Sequence, residues 1–394
     1  MTTAVPSTQS KRRWGILALG LAAQTASCSF LYGIPFLVPE LRADAGLSLA
    51  EAGTVVAAPG IGLLLTLIAW GAAADRYGER VVMALGLGVS SLLLFVVGLG
   101  SPSLGLLFTL FVLAGAAAAS VNAASGRAVM GWFAPAERGI AMGIRQTAQP
   151  LGVGIAALAI PPLGQRWGFR EAMLFPAGFG LVVALLVAWL VIDPPRPEKK
   201  AGAAKPASPY RQPTLWRLHG ASALLVVPQF AVSAFAPVYL VSAHHWSPTT
   251  AGWFLAAAQV LGALGRLGSG YWSDRVGSRL RPMRQLAVAS AAVMLLVALG
   301  DLTLSWVVLL ALVLAAVITV ADNGLGFTAS AELAGISWAG RAMGAQNTAQ
   351  NVVAALTPPL LGLVIGDSRY ALAFCVAAIF PVLAIGLTPV RAER

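Results

Sequence analysis

Long apolar runs alternate with short polar breaks along this chain, and the length of the runs limits its fold more than any other feature. A helix crossing the hydrocarbon core of a bilayer needs about 20 mostly apolar residues. Runs of that length fall at 14–38, 51–74, 80–100, 104–130, 139–163 and 171–192, then at 215–241, 250–272, 283–302, 304–330, 341–365 and 370–390. None alternates apolar with polar residues, which excludes a transmembrane β-barrel. Only 10% of the 394 residues are charged, against about a quarter in soluble domains. So few charges cannot cover a surface in water, and the expected surface partner is the lipid bilayer.

The N-terminus imitates a secretory signal, because Lys11-Arg12-Arg13 precedes an apolar stretch with small residues before Cys28. The apolar run continues to Val38, long enough to span, so an uncleaved first helix is expected. A net charge of +11 raises the question of nucleic acid. The basic residues come in short groups between apolar runs and form no basic face of a soluble module, so no nucleic-acid partner is expected. Cys28 and Cys375 give neither a disulfide framework nor metal spacing. His244-His245 is too small a set for a metal site. GALGRLGSG lies inside an apolar run, with no preceding strand and no GK[ST] ending. Without a nucleophile–base arrangement either, no enzyme activity, cofactor or metal is expected.

The longest polar break, Asp193 to Thr214, is rich in Pro, Ala and Lys and reads as a flexible linker. It defines an N-terminal six-helix bundle (1–192), a linker (193–214) and a C-terminal six-helix bundle (215–394). Of the Lys and Arg residues, nineteen fall on the face shared by both termini and the linker, four on the opposite face, and Arg127, Arg145 and Arg266 inside spans. The positive-inside rule puts both termini and the linker in the cytoplasm. Pro35, Pro59, Pro150, Pro228, Pro161-Pro162 and Pro358-Pro359 are candidate kinks.

The halves repeat each other. GAAADRYGER (Gly71–Arg80) returns as GYWSDRVGSR (Gly270–Arg279), and MGIRQTAQP (Met142–Pro150) as MGAQNTAQN (Met343–Asn351). Asn122 is echoed by Asn323. The chain is a duplicated six-helix unit whose halves share one orientation. The expected fold class is an all-α membrane protein of twelve transmembrane helices in two pseudo-symmetric bundles.

The turn G-x-x-x-D-R-x-G-x-R, after spans 2 and 8, resembles the signature loop of the major facilitator superfamily of secondary transporters. The resemblance covers the whole chain. Gly71, Asp75, Arg76, Gly78 and Arg80 match the family positions, as do Gly270, Asp274, Arg275, Gly277 and Arg279. Glu79 departs, standing where the family often has a basic residue. The resemblance implies a conformational latch. Each Asp would sit at the positive N-terminal end of a helix from the other half. Pseudo-symmetry places Asp75 near Gly340-Arg341 and Asp274 near Arg138-Gly139. The bland alternative is that the charges only set topology.

Ionisable residues inside spans are functional candidates, because inserting one costs about 2.5–3.5 kcal/mol on translocon scales. Arg266 matches the place where monocarboxylate and oxalate transporters of the superfamily engage a substrate carboxylate; it also fits a packing arginine that snorkels. Arg145, with Gln149 one turn deeper, and Arg127 complete the basic set; Arg127 lies within two turns of the cytoplasmic end of span 4 and reads first as a snorkelling arginine. Asp322 is placed near the midplane as the proton-coupling candidate, or else as a static ion-pair partner. The resemblance makes spans 1, 4, 7 and 10 line the cavity, so Gln24, Tyr32, Asn122, Gln229 and Asn323 join the substrate-binding set. Each could equally be an interhelical hydrogen-bonding residue.

The expected protein is a secondary active transporter moving a small organic anion, a carboxylate, across the cytoplasmic (inner) membrane by alternating access, coupled to protons or another ion and working as a monomer. A proton-coupled exporter of drugs or metabolites, and a non-transporting receptor or scaffold, are the alternatives.

Overall fold

A computed structural model describes residues 7–194, 207–303, 306–366 and 368–393. Residues 195–206 of the expected linker lie outside these. All regular structure among the described residues is helical. The α-helices run in order α1 (Ser7–Leu31), α2 (Val38–Ala45), α3 (Leu49–Tyr77), α4 (Glu79–Leu99), α5 (Leu104–Ala118), α6 (Ser120–Trp132), α7 (Arg138–Gln146), α8 (Ala148–Trp167) and α9 (Phe169–Ala172). They continue as α10 (Leu174–Leu190), α11 (Pro213–Ser242), α12 (Pro248–Val276), α13 (Leu280–Thr303), α14 (Val307–Ala321), α15 (Asn323–Ala334), α16 (Ala339–Ile365) and α17 (Tyr370–Leu387).

Among the described residues, 11 helical segments are long and apolar enough to cross a membrane. The 29-residue α12 has the length too and carries Arg266, Asp274 and Arg275 within it. Large apolar side chains face outward, with Leu158 and Trp189 more than four-fifths exposed. In water such a surface would be unstable; against lipid chains it costs nothing.

The proline kinks need qualification. Helices α3, α8, α11 and α16 run on as helix through Pro59, Pro161-Pro162, Pro228 and Pro358-Pro359. The helices are interrupted at Ala119, Thr147 and Asp322. Pro150 stands three residues beyond Thr147, where it cannot donate to the Gln146 carbonyl, and Pro35 lies in the turn Ile34–Leu37 after α1. The first span also differs. Its helix ends at Leu31, and the chain turns through Ile34–Leu37 before α2.

The chain packs as two compact units. One takes the described residues of Met1–Ala134, Thr147–Pro206 and Gly335–Gly344; the other takes Pro135–Gln146, Ala207–Ala334 and Ala345–Arg394. Each therefore contains a short stretch encoded within the other's half. The first unit has a core around Ile34, Leu37, Phe111, Ile160 and Phe169. The second packs Tyr239, Leu240, Met294 and Phe374.

Local chemistry repeats with the sequence. Helix α3 starts at a capping box, in which Ser48 Oγ accepts from Glu51 N and Glu51 accepts from Ser48 N. Helix α12 starts with Ser247 Oγ accepting from Thr250 N at 3.0 Å. Both helices stop at a glycine with positive φ, Gly78 at 102° and Gly277 at 64°, where a Cβ would be strained.

Candidate functional site

The repeated turn builds the same clamp in each unit. In the first, Asp75 at the end of α3 accepts the backbone N–H of Gly340 at 2.9 Å and of Arg341 at 3.2 Å. In the second, Asp274 at the end of α12 accepts from Gly139 at 2.9 Å and Ile140 at 2.8 Å. Each carboxylate thus satisfies two donors that a helix leaves open in its first turn, and meets the positive end of the dipole. The approach needs glycine on both sides. A Cβ on Gly71 would lie 2.3 Å from Gly340 O, and one on Gly270 2.3 Å from Gly139 O. One turn on, Gly344 meets Leu67 O and Gly143 meets Arg266 O in the same way. These are small-xxx-small crossings of the kind that let membrane helices approach closely.

The charges around the two clamps differ. In the first unit Arg127 on α6 bridges two carboxylates, donating from Nε to Asp75 Oδ1 at 3.1 Å and from Nη1 to Glu79 Oε1. Arg341 Nε lies 3.8 Å from Asp75. Arg127 is 5% exposed and Glu79 fully buried, so this arginine is enclosed in protein rather than snorkelling. In the second unit Arg279 of the turn itself binds Asp274 at 2.5 Å and Ser273 at 2.7 Å. Glu332 on α15 faces both Arg138 (3.4 Å) and Arg279 (3.5 Å). Arg76 and Arg275 are exposed and stack on Tyr77 and Tyr271. Arg80 reaches Ala188 O at 2.7 Å.

Deeper in each unit lies an amide pair. Gln24 on α1 donates to Asn122 on α6 at 2.9 Å. Asn323 on α15 donates to Gln229 on α11 at 3.0 Å, and Gln350 on α16 reaches Asn323 at 3.4 Å. First and fourth spans are thereby joined in both units. Tyr32 follows α1 half-buried, and Gln149 is half-buried at the start of α8.

The second unit also holds Arg145, Arg266 and Asp322. Both arginines are at most 5% exposed, and both donate to Gln146: Arg145 to its side-chain oxygen at 2.8 Å, Arg266 to its backbone oxygen at 3.0 Å. The Arg145 guanidinium also lies over the Phe327 ring, 5.8 Å from the centroid. Asp322 occupies the break between α14 and α15, 3% exposed, and its Oδ2 has no hydrogen-bond partner among the described residues.

Sequence reasoning passed over His219 on α11. It lies against Tyr210 Oη at 3.0 Å through Nε2 and against Gln346 Oε1 through Nδ1. Gln346 Oε1 can only accept, so the Nδ1 that faces it is the nitrogen that carries a proton. Nε2 of the neutral imidazole then accepts from the Tyr210 hydroxyl. A single histidine in an apolar run carries no local signal of such partners. Arg145 and Gln346 occupy equivalent places in the repeated segment, so the duplication has put a cation in one copy and a neutral amide in the other.

A membrane-spanning helical protein built from a duplicated bundle, with a charged clamp and a polar seam between first and fourth spans in each unit, has the architecture of a solute carrier. The Major Facilitator Superfamily model matches residues 18–358, and the chain belongs to that family. It is 43% identical over 381 residues to the uncharacterized MFS-type transporter Rv2994 of Mycobacterium tuberculosis, covering 96% of this chain and 85% of that protein. It is 26% identical over 297 residues to the glycerol-3-phosphate transporter of Bacillus subtilis, covering 68% and 66%. The human organic anion transporter MFSD10 superposes with a TM-score of 0.75 at 17% identity, over 98% of this chain and 100% of that one, which establishes the fold. The chain is therefore a multi-pass membrane transporter of this family and not an enzyme. Such transporters bind small-molecule solutes and typically work as monomers.

Proposed function

We propose that the protein is a secondary active transporter for a small organic anion, a carboxylate, coupled to protons and working by alternating access. The observation that carries the reading is the convergence of two buried guanidinium groups, Arg145 and Arg266, on one neutral residue, Gln146. A planar carboxylate offers a guanidinium fork a stronger, bidentate, charge-assisted acceptor than an amide or carbonyl oxygen does. A relative named for glycerol-3-phosphate, itself an anion, supports the class. Asp322, buried at a helix break, is the proposed proton carrier. The polar seams of Gln24 with Asn122 and Gln229 with Asn323, together with Tyr32, Gln149 and Arg127, complete the proposed polar set. The two Asp clamps act as the latch on the linker side. That side is assigned to the cytoplasm of an inner-membrane protein by its basic residues.

The test is proton flux in proteoliposomes loaded with a pH dye. Small carboxylates, inorganic anions and lipophilic cations are added one at a time. A pH change on adding a carboxylate supports the reading, and its loss in Arg266→Lys assigns the guanidinium. A response only to lipophilic cations replaces it with drug export. Silence with every compound, alongside measurable ligand binding, leaves a receptor or scaffold.

A further inference from the structure

The clamp of the first unit is surrounded by more acid than base, and the repeat says what that excess does. In the second unit, Glu393 caps the start of α13. Its carboxylate accepts Arg279 N at 2.8 Å and Leu280 N at 3.1 Å, and the Ser278 hydroxyl donates to it as well. In the first unit, Asp193 does the same for α4, accepting Arg80 N at 2.8 Å. Asp193 and Glu393 are 200 positions apart, as are Arg80 and Arg279 within one residue. The residue equivalent to Ser278 is Glu79. A serine at this place always brings a proton to donate to the capping carboxylate. A glutamate brings one only when it is the neutral acid.

Beyond the transport reading, we infer that Glu79 is a proton-binding site that controls the Asp75 clamp. The charged groups around it are Asp75 from α3, Arg127 from α6, Asp193 after α10, Arg341 from α16, and its neighbour Arg80. Of these cations, Arg127 touches Glu79 and is itself buried. Ionised, Glu79 would sit fully buried between two other carboxylates and draw Arg127 away from Asp75. Like charges so close do not all ionise. Protonated, Glu79 donates its O–H to Asp193, as Ser278 does to Glu393, and leaves the Arg127 charge to Asp75, which holds Gly340 and Arg341. The proton comes from bulk water at the linker face and returns there. By linkage, whatever opens the clamp and wets Glu79 releases the proton, and whatever removes the proton loosens the clamp.

The experiment reads the clamp itself and needs no substrate, so it stands apart from the fate of the transport reading. Amide hydrogen exchange is followed by mass spectrometry in the peptide containing Gly340 and Arg341, corrected for intrinsic exchange, from about pH 5 to about pH 9. Protection in the wild type is expected to fall as pH rises, by up to about tenfold per pH unit where one linked proton is lost. Glu79→Gln should make protection independent of pH. Glu79→Ser, copying the second unit, should do the same and covers the case in which the glutamine variant does not fold. Asp193→Asn, by removing the neighbouring charge, should move the fall to lower pH. A flat wild-type profile overturns the inference, and so does a slope that survives in both Glu79 variants. An unmoved profile in Asp193→Asn overturns the shared proton.

Discussion

Gly71 and Gly340 meet backbone to backbone, so close that a methyl group on Gly71 would stand 2.3 Å from the Gly340 carbonyl oxygen. Gly270 and Gly139 repeat the contact at the same distance. Gly71→Ala and Gly270→Ala are each expected to destabilise the protein by about 1–3 kcal/mol, the usual cost of overpacking. Gly268→Ala, on the same helix as Gly270 and with nothing within 4 Å of its added Cβ, should be neutral or better. Thermal unfolding in detergent separates the three.

Asp75→Asn and Asp274→Asn keep the shape of the clamp and remove its charge. Each is expected to cost about 1–2 kcal/mol, because charge at a helix N-terminus contributes most when partly buried. The midpoint of unfolding should fall by about 2–4 °C per kcal/mol. In Asp75→Asn, Glu79 still touches Arg127 and ionises to balance its charge, so this variant should retain the fold.

The amide pairs are read by a double-mutant cycle. Gln24→Leu and Asn122→Leu should each destabilise, and the double variant should recover part of the loss. A coupling of roughly 0.6–1 kcal/mol is expected for an interhelical hydrogen bond in a membrane protein. A coupling indistinguishable from zero would free both amides for solute binding.

Asp322→Asn is expected to abolish proton-driven accumulation in proteoliposomes and spare exchange of labelled for unlabelled solute. Loss of both activities would make Asp322 a structural partner of the neighbouring arginines.

His219→Phe removes a ring that both Tyr210 and Gln346 face, and strands a buried amide oxygen. It should cost about 1–3 kcal/mol, the penalty for an unsatisfied buried polar group. Adding Gln346→Leu should return part of it, measured as the recovery in unfolding midpoint.

The fold was legible because apolar runs of spanning length can be counted, and the clamp because an acidic residue has no role in topology and needs another reason to recur. What the residues of one segment do to each other is written locally. What brings Arg127 to Glu79, across 48 positions, is not. The capping carboxylates show the same limit. Asp193 reads as the first residue of a linker and Glu393 as the fringe of a tail, and only the helix starts beside them give them a task. The breaks at Ala119 and Asp322 escaped because no proline marks them, whereas Pro35 lies in the turn after α1 and Pro150 stands three residues beyond the break at Thr147; the other prolines that drew attention lie in helices that continue. Lipid-embedded helices tolerate proline when neighbours satisfy the freed carbonyl groups.

Each compact unit includes a stretch encoded in the opposite half, Gly335–Gly344 in one and Pro135–Gln146 in the other. Biosynthesis is therefore out of step with architecture. When a ribosome has finished the first six spans, the unit they belong to still lacks the segment that Asp75 holds, and that segment emerges only after α11 to α15 have been made. The stretch from Pro135 must meanwhile wait in the membrane, unpaired, for a helix not yet made. Neither half-sequence is thus a finished folding module, and two halves expressed as separate polypeptides would complete their clamps only on meeting each other.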